Sequence, residues 1–131
     1  MLLAALIAAS LIVSAATDAG ASWAPLNESA GAHLRHMSTQ QKRAVVRPLV
    51  NSANECIARK VSANPRFPTL AHAGDVNELI VESVPSCLDA VRAMIDAHDR
   101  LFGEGAGDSF FMGPYLDALP SAVQELVTGA H

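Results

Sequence analysis

Cysteine is scarce in this chain: Cys56 and Cys87 are the only two. Any bridge within one molecule must therefore join them, and without a C-x-x-C spacing there is no support for thioredoxin-like redox catalysis. Aromatic residues make up only 5% of the chain, with one Trp and one Tyr, so a core has to be assembled from Ala, Val, Leu and Ile. Charged residues are also few, at 17%, against 50% hydrophobic, which excludes the polar, highly charged class of disordered chains. Positive charge is in deficit, with a net charge of -4, so nothing draws the whole molecule to nucleic acid or to an anionic membrane. No strand-like alternation occurs, and no apolar run approaches the roughly 20 residues of a membrane span.

The longest apolar run, Leu2 to Val13, has instead the length of a signal-peptide core, although no Lys or Arg precedes it as a leader ordinarily requires. Ala19-Gly20-Ala21 fits the small-residue cleavage pattern and predicts a signal peptide over 1–21, with Ser14-Ala15-Ala16 as a nearer alternative site. The expected location is thus secreted or periplasmic. That compartment is oxidising, and a modest domain in it gains from a staple, so a Cys56–Cys87 disulfide is expected. It would close a loop of 31 residues, worth about 3 to 4 kcal/mol if the gain is chain entropy. With the leader removed no stable membrane span remains.

Residues 22–37 mix Pro, Asn, Ser and Gly with little periodicity and read as a loosely ordered N-terminal arm, leaving 38–131 as one domain. Ser38 and Gln41 have the spacing of a capping box. Beyond them Val45, Val46, Leu49, Val50, Ala53, Cys56, Ile57 and Val61 recur at helical steps, with Pro48 predicting a kink or break near Arg47. Asn64-Pro65 ends this helix, and Pro65 to Gly74 reads as a crossover loop. Asp75 with Glu78 predicts a second capping box and a short helix, and Pro85 opens another whose stripe is Cys87, Leu88, Val91, Met94, Ile95, His98, Leu101 and Phe102. A left-handed cap at Gly103, a Gly-rich loop to Gly107, and a final helix opened by Pro120 complete an all-α domain. The expectation is about four helices around a two-helix core, with both cysteines on the central stripes.

Charge changes sign along the chain. Arg35, Lys42, Arg43, Arg47, Arg59, Lys60 and Arg66 face only Glu55 as an acid, whereas ten acids from Asp75 to Glu125 outnumber Arg92 and Arg100. Either a basic helix docks on an acidic one with rim charges paired, or the two signs stay apart as a dipolar surface that steers a charged partner.

Candidate chemistry is thin. His33 and His36, three apart, supply two metal ligands where a closed site needs about four, so no metal is assigned. Gly103 to Asp108 lacks the Lys-Ser/Thr pair of a phosphate loop and matches no calcium loop, and no pattern requires a cofactor. Asp96, His98 and Asp99, with Ser83 or Ser86, would have to converge to make a small hydrolase, without any nucleophile elbow. The remaining feature is aromatic. Phe110, Phe111, Met112 and Tyr115 either close the core or stand open as a contact surface for a protein partner. The expected function is therefore non-enzymatic binding, with an acid-responsive chaperone-like protein as the alternative.

Overall fold

The computed structural model describes residues 31–73 and 76–129, with the side chains of 72 and 73 left aside. The expected leader, most of the arm, Asp75 and His131 lie outside the described residues. Within them the chain is all-α: no strand occurs, and one disulfide joins Cys56 to Cys87.

Residues 31–36 form a helical turn, from which Leu34 and Met37 pack on the core. Helix α1, Thr39–Ala63, begins at the expected capping box: Gln41 N–H donates to Ser38 Oγ at 3.2 Å, and Ser38 N–H donates to Gln41 Oε1 at 2.7 Å. Of the kink or break expected near Arg47, no break occurs: α1 runs through Pro48, and the stripe stays in phase on both sides of it, with Val46, Ala53 and Ile57 buried. The acceptor that Pro48 leaves without its helical donor is the carbonyl of Ala44, and both residues are exposed, so water can take the donor's place.

The crossover is a helix rather than a loop. Asn64 Oδ1 accepts from Arg66 N–H at 2.9 Å and Asn64 carbonyl accepts from Phe67 N–H at 3.0 Å, an Asx turn that reverses the chain and starts helix α2, Phe67–Ala73. Pro68 sits in its first turn, where no backbone donor is missed. Phe67 and Leu70 thereby reach the core. Helix α3, Asn77–Ser83, follows; the expected cap of Asp75 with Glu78 involves a residue outside the described ones, while Glu78 accepts from Arg66 Nη1 at 2.8 Å and Glu82 takes Arg66 Nη2. A single 3-10 turn, Val84–Cys87, carries Pro85 into helix α4, Leu88–Phe102.

Helix α4 stops at Gly103, whose φ of 111° and ψ of 157° are open to glycine but differ from the expected left-handed cap. The Gly-rich stretch is also more ordered than a loop. Gly105, at φ 83°, leads into helix α5, Ala106–Phe110, then a π-helical turn, Phe111–Tyr115, and helix α6, Leu116–Thr128. Pro114 has no N–H to give to Phe110, and the widened turn is closed by Leu116 N–H, which reaches back to Phe111 carbonyl. Helix α6 consequently begins four residues before Pro120, which lies inside it.

Helices α1 and α4 form the central pair, and α6 packs on α1 as the third member. Ile57, Val61, Met94, Leu119 and Val123 of these three helices are almost fully buried, as is Leu79 of α3. Cys87 is buried and Cys56 half-buried, their Cα atoms 6.0 Å apart. At the other end of the pair Lys42 lies beside Phe102, so α1 and α4 are antiparallel.

Candidate functional site

Two stretches distant in sequence meet at that second end. Arg43, Val46, Arg47 and Val50 of α1 face His98 of α4 and Phe110 of α5 across an open groove of about 200 Å³. Val46 is buried and forms its floor, while Val50, His98 and Phe110 are half-buried and form its sides. Arg43 and Arg47, one helical turn apart, stand exposed at the rim.

His98 belongs to a stack. Its ring lies 4.0 Å from Phe110 and 5.0 Å from Phe102, nearly parallel to the first. Phe110 continues to Tyr115 at 6.1 Å and Tyr115 to Phe111 at 5.7 Å, so five rings run in series from α4 to the π turn. Lys42 Nζ lies 5.7 Å from the Phe102 centroid and places a cation on the outer ring. Burial lowers the His98 pKa below its ordinary 6.5, opposed by the charge of Asp99, and His98 Nδ1 has no hydrogen-bond partner among the described residues. Tyr115 is only 3% exposed, and burial pushes its pKa up to about 12.

The expected aromatic contact surface is therefore divided: Tyr115 lies in the core, Phe110 and Phe111 are half-buried, and Met112 is 70% exposed. The residues of the hydrolase alternative do not share a cavity. Asp96 is exposed, and Asp99 Oδ1 accepts from Gly107 N–H at 2.7 Å. Ser83 is buried with its hydroxyl donating to Leu79 carbonyl, while Ser86 is exposed. His33 and His36 are both exposed, and no three His, Cys, Asp or Glu side chains gather into a metal site among the described residues.

Of the two dispositions of charge that the sequence permits, the structure adopts separation around the groove. The ion pairs among the described residues are those of Arg66 with Glu78 and Glu82, and no described carboxylate lies within 4.0 Å of Arg43 or Arg47. A second depression, about 370 Å³, lies between α1 and α6 and is lined by Asn51, Asn54, Glu55, Ala122, Glu125 and Leu126. Although it is larger, its lining is about half polar, from Asn51, Asn54, Glu55 and Glu125, whereas the groove beside His98 is lined almost wholly by apolar surface.

Sequence reasoning named Phe110 and listed Arg43 and Arg47 only as charges, and it placed Val46, Val50 and His98 on core stripes. Their meeting depends on the antiparallel pairing of α1 with α4, which no local pattern carries. No described helix is long and apolar enough to cross a membrane. No protein-family model, curated protein or solved structure matches the chain.

Proposed function

We propose that this domain is a non-enzymatic binding protein that works outside the cytosol, secreted or periplasmic, with the groove between α1 and α4 as its contact surface. The observation that carries the reading is an apolar floor left open beside arginines that no acid pairs among the described residues. At about 200 Å³ the groove is smaller than the roughly 300 to 1,000 Å³ that encloses a whole small molecule. It suits one anchoring side chain of a larger partner, the arrangement in which a few buried contacts dominate binding. The disulfide supports the compartment, because such bridges persist where the surroundings are oxidising.

The test is selection from a random-peptide display library on the oxidised domain, with binders mapped by amide and methyl chemical shifts. Shifts centred on Val46, Val50, His98 and Phe110, lost in Val50→Glu, are the expected result. Binders that map elsewhere, or a library that yields none, would refute it. The compartment is tested separately by the intact mass of natively expressed protein: a product that keeps its first 21 residues and two titratable thiols is incompatible with export.

The burial of His98 favours a second reading, an acid-responsive chaperone-like protein. Protonation would place a charge in the ring stack, next to Arg43 and Arg47 of α1, their repulsion offset only in part by Asp99 of its own helix. Loosening of the stack would expose its apolar faces to clients. A dye for exposed apolar surface should then bind at about pH 3 with helicity retained; no increase in binding would rule this reading out.

A further inference from the structure

Resting on the groove as contact surface, we infer the chemistry of its occupant: an acidic peptide segment that inserts one bulky apolar side chain between carboxylates. The apolar requirement comes from the floor and sides, Val46, Val50, His98 and Phe110. The acidic requirement comes from the rim. Arg43 and Arg47 project from consecutive turns on the same side of α1, and Lys42 stands beyond them over Phe102.

Among the described residues no acid offsets these cations locally. None of the groove-lining residues is acidic. On α4, Asp99 Oδ1 is held by Gly107 N–H and Asp96 does not line the groove; on α5, Asp108 is exposed and does not line it either. The whole chain nevertheless carries a net charge of -4, so the cations at this rim stand out against an acidic molecule. A guanidinium pair one turn apart can take carboxylates in planar, two-pronged hydrogen bonds, a geometry that a lysine pair would not impose. A peptide fits better than a lipid surface, because the opening of about 200 Å³ holds one side chain rather than a long acyl tail.

Three labelled peptides of equal length decide the matter, each with one central Leu flanked by Glu, by Ser or by Lys, titrated by fluorescence anisotropy against the oxidised domain. The Glu peptide should bind about tenfold more tightly than the Lys peptide at low ionic strength, since two exposed ion pairs become two repulsions. Added salt should narrow the gap. The double reversal Arg43→Glu with Arg47→Glu should invert the order, and because both residues are exposed its helical circular dichroism should match the parent.

Equal affinity for all three peptides, with shifts still centred on Val50, His98 and Phe110, overturns the acidic preference and leaves the contact surface standing. Absence of binding by every peptide overturns both. Binding to phosphatidylglycerol vesicles without binding to the Glu peptide overturns the peptide assignment in favour of a membrane.

Discussion

Replacing Gly107 with alanine separates packing from backbone conformation as the reason this stretch is rich in glycine. A Cβ at Gly107 would overlap the Ile95 carbonyl oxygen and meet the Ile95 carbonyl carbon and Cγ2 at 2.8 Å. Two of these atoms are backbone in the middle of α4 and cannot swing aside, so α5 has to lift off. Overpacking of this kind costs about 1 to 3 kcal/mol. Lifting also strains the bond in which Asp99 Oδ1 accepts from Gly107 N–H at 2.7 Å, and a hydrogen bond to a charged group contributes about 1.5 to 3 kcal/mol. Allowing for partial relaxation, a loss of about 3 kcal/mol is expected, equivalent to a fall in Tm on the order of 15 °C for a domain of this size. Gly105 is the internal control. It has nothing within 4 Å of a built Cβ but sits at φ +83°, so Gly105→Ala should lose only the left-handed penalty of about 1 kcal/mol.

The assay is urea unfolding followed by circular dichroism at 222 nm, with the shifts of His98 and Phe110 recorded on the folded proteins. Gly107→Ala should be the less stable variant and should also move the His98 ring shifts, because Phe110 lies at the end of the displaced helix and stacks on that ring. If Gly107→Ala loses no more than Gly105→Ala, with the His98 resonances unmoved, then α5 is not held by close approach and the reasoning fails.

Three further sites give testable outcomes. Because burial lowers the His98 pKa in the folded state, the unfolded chain takes up that proton first; stability is complete above pH 6.5 and falls as pH drops through the folded value. His98→Phe keeps a ring in the stack and should flatten that part of the profile, and an unchanged slope in urea midpoints would exclude His98 as its source. Tyr115 OH is buried with no partner among the described residues, so Tyr115→Phe should be neutral or stabilising by up to about 1 kcal/mol; a clear loss would reveal an unseen partner. The same change should delay alkaline unfolding, since a folded-state pKa of about 12 against an ordinary 10.0 means stability is lost as pH rises through that range. Cys56→Ala with Cys87→Ala should lower stability by about 3 to 4 kcal/mol for the 31-residue loop, measured by urea unfolding, and a midpoint equal to the parent would argue against the chain-entropy account.

Much of the fold was legible because it is local. The Ser38–Gln41 cap, the α1 stripe and the end at Asn64 follow from side-chain type and helical spacing, and two cysteines leave one pairing. What escaped depended on chemistry across a break or across the tertiary structure. Pro65 and Pro68 read as loop residues, yet Asn64 builds an Asx turn in front of them and Pro68 falls where a helix tolerates it. Val45 shares the period of the stripe but is 47% exposed, since two adjacent residues cannot both face a narrow seam. Ala58 and Ala97, buried against that seam, were passed over because a methyl group gives little signal. The π turn could not be foreseen from Pro114 alone, as it exists together with the packing of Phe110, Phe111 and Tyr115. The groove was illegible for the same reason: its two walls lie some fifty residues apart in the chain.

The antiparallel pairing of α1 with α4 also sets the staple and the groove at different ends of the same seam. From Cys56 back to Val50 is about 9 Å along α1, and from Cys87 forward to His98 is about 16 Å along α4, at roughly 1.5 Å per residue. The bridge therefore restrains the end where α1 meets the start of α4, whereas the groove is framed by the stack of Phe102, His98 and Phe110 and by the close approach of Gly107 to Ile95. A constraint that acts chiefly on the unfolded chain changes how often the domain unfolds and leaves the folded site alone. Under conditions where the bridge-free variant stays folded, its affinity for a groove-binding peptide should remain within a few-fold of the parent although its urea midpoint has fallen. A proportionate loss of affinity would mean that the bridge shapes the groove through α1, and that the two ends of the seam act as one unit.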